Sequence, residues 1–102
     1  MKASASDLII IATARAKPGK EADLERALRE VAAPTRAQPG CVQFSLYRAA
    51  AAPSTIVGFE RWVSAADHES HLQGAHVQKL MASMANLLAE PPSIVAYEAL
   101  EG

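Results

Sequence analysis

The chain has 102 residues, half of them hydrophobic, and a formal net charge of −1, which is the size of one domain and too short for a large private core. The near-neutral balance, with no long run of Lys or Arg, excludes a conventional nucleic-acid-binding surface. The single cysteine, Cys41, excludes an internal disulfide, and the chain has no Cys/His zinc spacing.

Residues 1–6 read as a loose tail of a single domain spanning 1–102. The apolar stretch Leu8 to Ala14 is too short for an export signal, lacks a convincing cleavage site and runs into Arg15 and Lys17. No stretch approaches the roughly 20 apolar residues of a membrane span. A cytoplasmic protein with no membrane partner is expected. Leu8 to Arg15 is compact and β-branched, which predicts a strand, and its solid apolar start implies burial on both faces. Lys17-Pro18-Gly19-Lys20 is a turn signal. A helix follows, with Glu21 and Asp23 in its first turn, where negative charge suits the helix dipole. Leu24, Ala27, Leu28 and Val31 repeat at helical spacing. Pro34 lies near the end of this helix, and Pro39-Gly40 closes the connection.

Cys41 to Arg48 alternates, with Val42, Phe44 and Leu46 on one face and Gln43, Ser45 and Tyr47 on the other, the pattern of a half-buried strand. Ala49 to Ser54 is predicted as a small-residue loop containing Pro53, and Thr55 to Val63 as the returning strand of a long hairpin. Ser64 is placed to cap a short helix, with Asp67 three residues on, and this helix runs to about Leu72. Gly74 breaks it. A longer helix follows to about Leu88, with Val77, Leu80, Met81, Met84, Leu87 and Leu88 on its apolar stripe, and Pro91-Pro92 stops it. Ser93 to Leu100 is the last strand.

The order β-α-β-β-α-β, with the second helix broken in two, predicts an α+β, ferredoxin-like fold. A four-stranded antiparallel sheet would carry helices on one face. The first strand places Leu or Ile on both sides, and the third sets Val57 and Phe59 opposite Ile56 and Trp62, so the second face is apolar too. No residues remain in the chain to cover it, and a second copy is the expected cover, giving a homodimer.

Four segments together resemble the antibiotic-biosynthesis-monooxygenase family. They are Ala16-Lys17-Pro18-Gly19-Lys20-Glu21 opening the first helix, Gln38-Pro39-Gly40-Cys41 opening the second strand, Phe59-Glu60-Arg61-Trp62 closing the third, and His71 nine residues after Trp62. The resemblance covers about residues 8 to 98. It implies a dimeric α+β barrel with a pocket between sheet and helices in each subunit. It also implies oxidation of a small aromatic by dioxygen, without metal, haem or flavin. Other relatives are isomerases, haem degraders or proteins without known activity. The haem degraders resemble one another in a first-strand Asn and a helix Trp–His pair. Here the first strand offers Thr13, and no Trp follows Trp62.

His71 is the candidate catalytic base, since an imidazole with an ordinary pKa near 6.5 suits proton transfer at neutral pH. Trp62 is a candidate wall for a flat substrate. Glu60, two residues away on the same strand face, is either a buried acid with a raised pKa or a partner for an Arg or backbone amide. Arg61, on the opposite face, is expected in solvent or at the dimer seam. Phe44, Tyr47, Met81 and Met84 are candidate pocket-lining residues, the methionines because they adapt their shape. His68, His71 and His76 do not match the His-Glu-x-x-His spacing of zinc proteases, and no metal is expected. The resulting expectation is a cofactor-independent monooxygenase of a quinol or polyketide-like phenol. The alternatives are an isomerase using the same histidine and a non-catalytic binding dimer.

Overall fold

The computed structural model describes residues 7–102; the tail expected at 1–6 lies outside the described residues. The elements are β1 (Leu8–Arg15), α1 (Glu21–Arg36), β2 (Cys41–Ala49), β3 (Ala52–Trp62), α2 (Ala65–Leu72), α3 (Ala75–Leu87) and β4 (Ser93–Glu98). The four strands form one antiparallel sheet in the order β2-β3-β1-β4, the ferredoxin-like arrangement.

Local chemistry accounts for most boundaries. Ser64 takes extended backbone at the start of α2, and its Oγ accepts the Asp67 N–H at 3.2 Å, as the capping pattern predicts. Gly74 caps α3, so one broken helix becomes two. Pro34 lies inside α1, two residues before its end. The β2–β3 connection differs from the expected six-residue loop. The turn is only Ala50 and Ala51, and Pro53 belongs to β3. A register shift between Arg48 and Ala49 leaves the first residues of β3 outside the regular ladder with β2, so the missing N–H of Pro53 costs no bond there. A second shift, between Cys41 and Gln43, takes Val42 out of the regular alternation. The last strand stops at Glu98 rather than Leu100.

Register assigns the two sheet faces. Ile10 lies opposite Glu60, Ala12 opposite Gly58 and Ala14 opposite Ile56, while Phe44 and Leu46 pair with Glu60 and Gly58. These residues face the helices. One core cluster joins Ala14, Ala16, Leu24, Ile56 and Leu88; another joins Val31, Ala32 and Phe44. Leu46 packs against both. Thr35, on α1, is also fully buried, although it stands outside the apolar spacing of that helix. Ile9, Ile11, Val57, Phe59, Tyr47, Val95 and Tyr97 alternate onto the opposite face. Tyr47, Val95 and Tyr97 are 55%, 41% and 47% exposed there. Arg61 on this face is neither solvated nor free: its guanidinium lies 3.7 Å from the buried Asp7 carboxylate. No helix of the described residues is long and apolar enough to cross a membrane.

Candidate active site

Small residues in the middle of the helix-facing surface leave room beneath the helices. Ala12, Ala14 and Gly58 put little side chain between strands and helices, and a cavity of about 100 Å³ remains. Phe44, Leu46, Ile56, Val77 and Leu80 supply apolar walls, Met81 and Met84 of α3 form one side, and Ile94 stands toward β4. Ile94 is 50% exposed because no helix covers that strand. Three polar residues, Thr13, Glu60 and His71, are among those lining this otherwise apolar space.

His71 sits one residue before the end of α2 and is buried. Its ring lies 4.8 Å from the Trp62 ring, centroid to centroid, and His68 and His76 stand 5.8 and 5.9 Å away. The spacing of three residues puts His68 and His71 on one face of α2, against Trp62. Burial pulls the His71 pKa down to about 4, with the neighbouring His68 and His76 adding to the effect. The imidazole is therefore neutral at pH 7, not poised near 6.5 as an unperturbed histidine would be. Its Nδ1 lies 2.6 Å from the Gln38 Oε1, and its Nε2 lies 3.8 Å from the Glu60 Oε1.

Glu60 answers one of the two readings of its sequence position. Burial raises its pKa above the ordinary carboxylate value, opposed by the hydrogen bond it accepts from Trp62. The Trp62 Nε1–H donates to Glu60 Oε1 at 2.9 Å. Among the described residues, no arginine or backbone amide takes that place. Trp62 itself is fully buried and does not line the cavity, contrary to the aromatic wall expected of it. Its bulk fills the core behind Glu60 and its N–H orients the carboxyl. Phe44, Glu60, His71, Met81 and Met84 do come together around the cavity. With His71 neutral, Glu60 and His71 form no ion pair; both environments favour the uncharged forms.

The connection before β2 brings Gln38 into this group. The Cys41 N–H donates to the Gln38 carbonyl at 3.2 Å across Pro39 and Gly40, and Gly40 has φ of +81°. That is a type II turn, with proline and glycine where the turn demands them. A Cβ on Gly40 would fall 2.2 Å from the Asp67 carboxylate, so the turn rests directly against α2. Residue spacing gave no sign of the Gln38–His71 contact, which joins positions 33 apart.

Residues 7–83 match the model of the family described as antibiotic biosynthesis monooxygenase. The chain belongs to this family. Solved structures agree. Rv0793 from Mycobacterium tuberculosis superposes with a TM-score of 0.90 at 28% identity, covering 95% of this chain and 98% of that one. PA3566 from Pseudomonas aeruginosa gives a TM-score of 0.89 at 31% identity, over 94% and 96% of the two chains. YcnE from Bacillus subtilis, named as a candidate monooxygenase, is 27% identical over 92% of this chain and 99% of its own length. The four segments that resemble the family fall at structurally distinct places: the start of α1, the type II turn, the end of β3 and the end of α2.

Proposed function

We propose that the protein is a cofactor-independent monooxygenase that oxidises a small aromatic compound, a quinol or phenol, with dioxygen. One observation carries this reading: an apolar cavity whose polar lining includes a neutral imidazole beside a buried carboxyl.

The phenolic proton passes to His71 Nε2. A base whose pKa is about 4 accepts it uphill. Glu60 Oε1, 3.8 Å away, is an acceptor facing the N–H that forms on Nε2, so the imidazolium is better supported than the resting ring. The phenolate then passes one electron to dioxygen, and the resulting radical pair collapses into a carbon–oxygen bond. The peroxide recovers the proton from His71. Loss of water, with departure of the ring C–H proton, leaves a carbonyl on the ring. One oxygen atom enters the substrate, the other leaves as water, and the substrate supplies the electrons.

The test is an oxygen electrode with hydroquinones and anthrones as substrates. Wild type should consume oxygen, and His71→Ala should lose about a hundredfold or more of turnover. Equal turnover by the variant would remove His71 from the mechanism. The same acid–base pair also suits an isomerase, a reading favoured by the adjacency of Glu60 and His71; product formed without oxygen would select it. Tight binding without turnover would select a binding protein.

We also infer that two copies pair through the open sheet face, whose exposed Tyr47, Val95 and Tyr97 support it. Sedimentation should give a dimer, and a monomer at micromolar concentration would contradict the inference. The half-buried Cys41 thiol, its pKa pushed up by burial, suits the reducing cytoplasm we infer as its compartment.

A further inference from the structure

We propose that Gln38 is a positioning residue that fixes the tautomer of His71 and so decides which ring nitrogen acts as the base. This rests on the reading of His71 as the base and extends it to a residue that does not line the cavity. The backbone of Gln38 is held from both sides. Its N–H donates to the Thr35 carbonyl at 3.0 Å, and its carbonyl accepts from Cys41 across the type II turn. The Gly40 carbonyl in turn accepts the Val63 N–H at 2.9 Å, which pins the turn to the end of β3. The amide oxygen therefore reaches His71 from a fixed place.

An oxygen acceptor 2.6 Å from Nδ1 requires the proton on Nδ1. A neutral imidazole carries one N–H, so Nε2 is left with its lone pair. That lone pair lies on the side of Glu60, which lines the cavity. Without Gln38 the proton has no acceptor at Nδ1, and Glu60 Oε1, which already accepts the Trp62 N–H and lies 3.8 Å from Nε2, is the acceptor left for it, so the tautomer that closes the base gains ground. The remaining groups around the ring are His68 on α2, His76 on α3 and Trp62 on β3, with Cys41 close enough to Glu60 to feel its charge. The geometry of the turn thus has a chemical role as well as a conformational one.

The experiment is long-range ¹⁵N NMR of the His71 ring at neutral pH, joined to kinetics of Gln38→Leu and Gln38→Glu. In wild type the proton should reside on Nδ1. In Gln38→Leu it should move to Nε2, with kcat falling about ten- to a hundredfold and KM changing by less than about twofold. Gln38→Glu should retain the Nδ1–H tautomer and shift the acidic limb of the pH–rate profile upward, because a carboxylate supports the imidazolium. A wild-type ring protonated on Nε2, or a Leu variant with an unchanged tautomer, would overturn the proposal. If Gln38→Leu does not fold, the wild-type spectrum and the direction of the Gln38→Glu shift decide it. If wild type turns over no substrate, the reading of His71 as a base fails separately, and the tautomer still decides the role of Gln38.

Discussion

The two faces of the sheet are built from the same strands, yet they solve different problems. On the helix-facing side, Ile10, Ala14, Ile56 and Trp62 are buried, and the small residues Ala12 and Gly58 leave a cavity among them. On the other side, Val57 and Phe59 are half-buried and Tyr97 is exposed. Alternation along a strand assigns neighbouring residues to opposite faces, so a one-residue step separates the cavity from the open face. Glu60 belongs to the cavity, and Phe59 beside it belongs to the open face.

Substitutions matched across this divide test the contrast. The largest effect should come from Trp62→Ala, which empties the core behind Glu60 and is expected to cost about 3–5 kcal/mol in chemical denaturation. Trp62→Phe keeps most of the bulk but leaves Glu60 without its indole donor, at a cost of about 1–3 kcal/mol. A loss below that range for Trp62→Ala would mean that this face tolerates voids as the open face does.

The next effect is pH-dependent. Burial holds the folded pKa of His71 at about 4, below the ordinary 6.5. The unfolded chain therefore binds a proton that the folded chain excludes. The stability contributed by a neutral His71 is whole above pH 6.5 and is lost as pH falls towards 4, by up to about 3 kcal/mol. Denaturation of wild type and His71→Gln at neutral pH and near pH 4 should show a gap that changes by that order. A constant gap would contradict the burial argument. Glu60 acts in the opposite sense: its raised pKa makes its contribution present at low pH and lost as pH rises through the folded value.

Phe59→Lys addresses the open face. It should dissociate the proposed dimer in sedimentation while leaving the monomer folded, because Phe59 is only half-buried within one chain. Loss of the monomer fold would show instead that this face is needed within one chain. The smallest effect should come from Gly58→Ala. Its Cβ would lie 3.7 Å from Leu46 Cδ2 and 3.9 Å from Ala12 Cβ, ordinary contact distances. Removing a glycine from a strand interior should stabilise the fold by about 0.5–1 kcal/mol. The methyl group would also narrow the cavity, so KM should rise while stability improves.

The amino-acid pattern revealed the scaffold more fully than the site. Leu8 to Arg15, Ser64 as a cap and Gly74 as a break depend on neighbours in sequence, and each appears where local propensity put it. Pro53 misled because proline signals a loop, whereas a ladder irregularity admits it at the start of β3. His71 was recognisable as a residue, but its pKa depends on burial and on the meeting of helices with sheet. Trp62 was expected at the substrate because large aromatics suit flat ligands; its N–H bond to Glu60 instead makes it part of the support. Gln38 stood in plain view within Gln-Pro-Gly-Cys, yet the turn chemistry of Pro39 and Gly40 explained that segment without its side chain.

The break at Gly74 makes the site separable. His71, the proposed base, is held by α2, the end of β3 and the type II turn, whereas Val77, Leu80, Met81 and Met84, which shape the cavity, all belong to α3. Each helix has its own start, and the Gln78 side chain closes the end of α2 by donating to the Leu72 carbonyl. Substitutions at Val77, Leu80, Met81 and Met84 can therefore reshape the space while His76, which flanks the histidine, and Gln78, which closes α2, are kept. A lineage changing its substrate, or a library built to do so, has these four positions of α3 in which to vary shape while the proposed base keeps its surroundings.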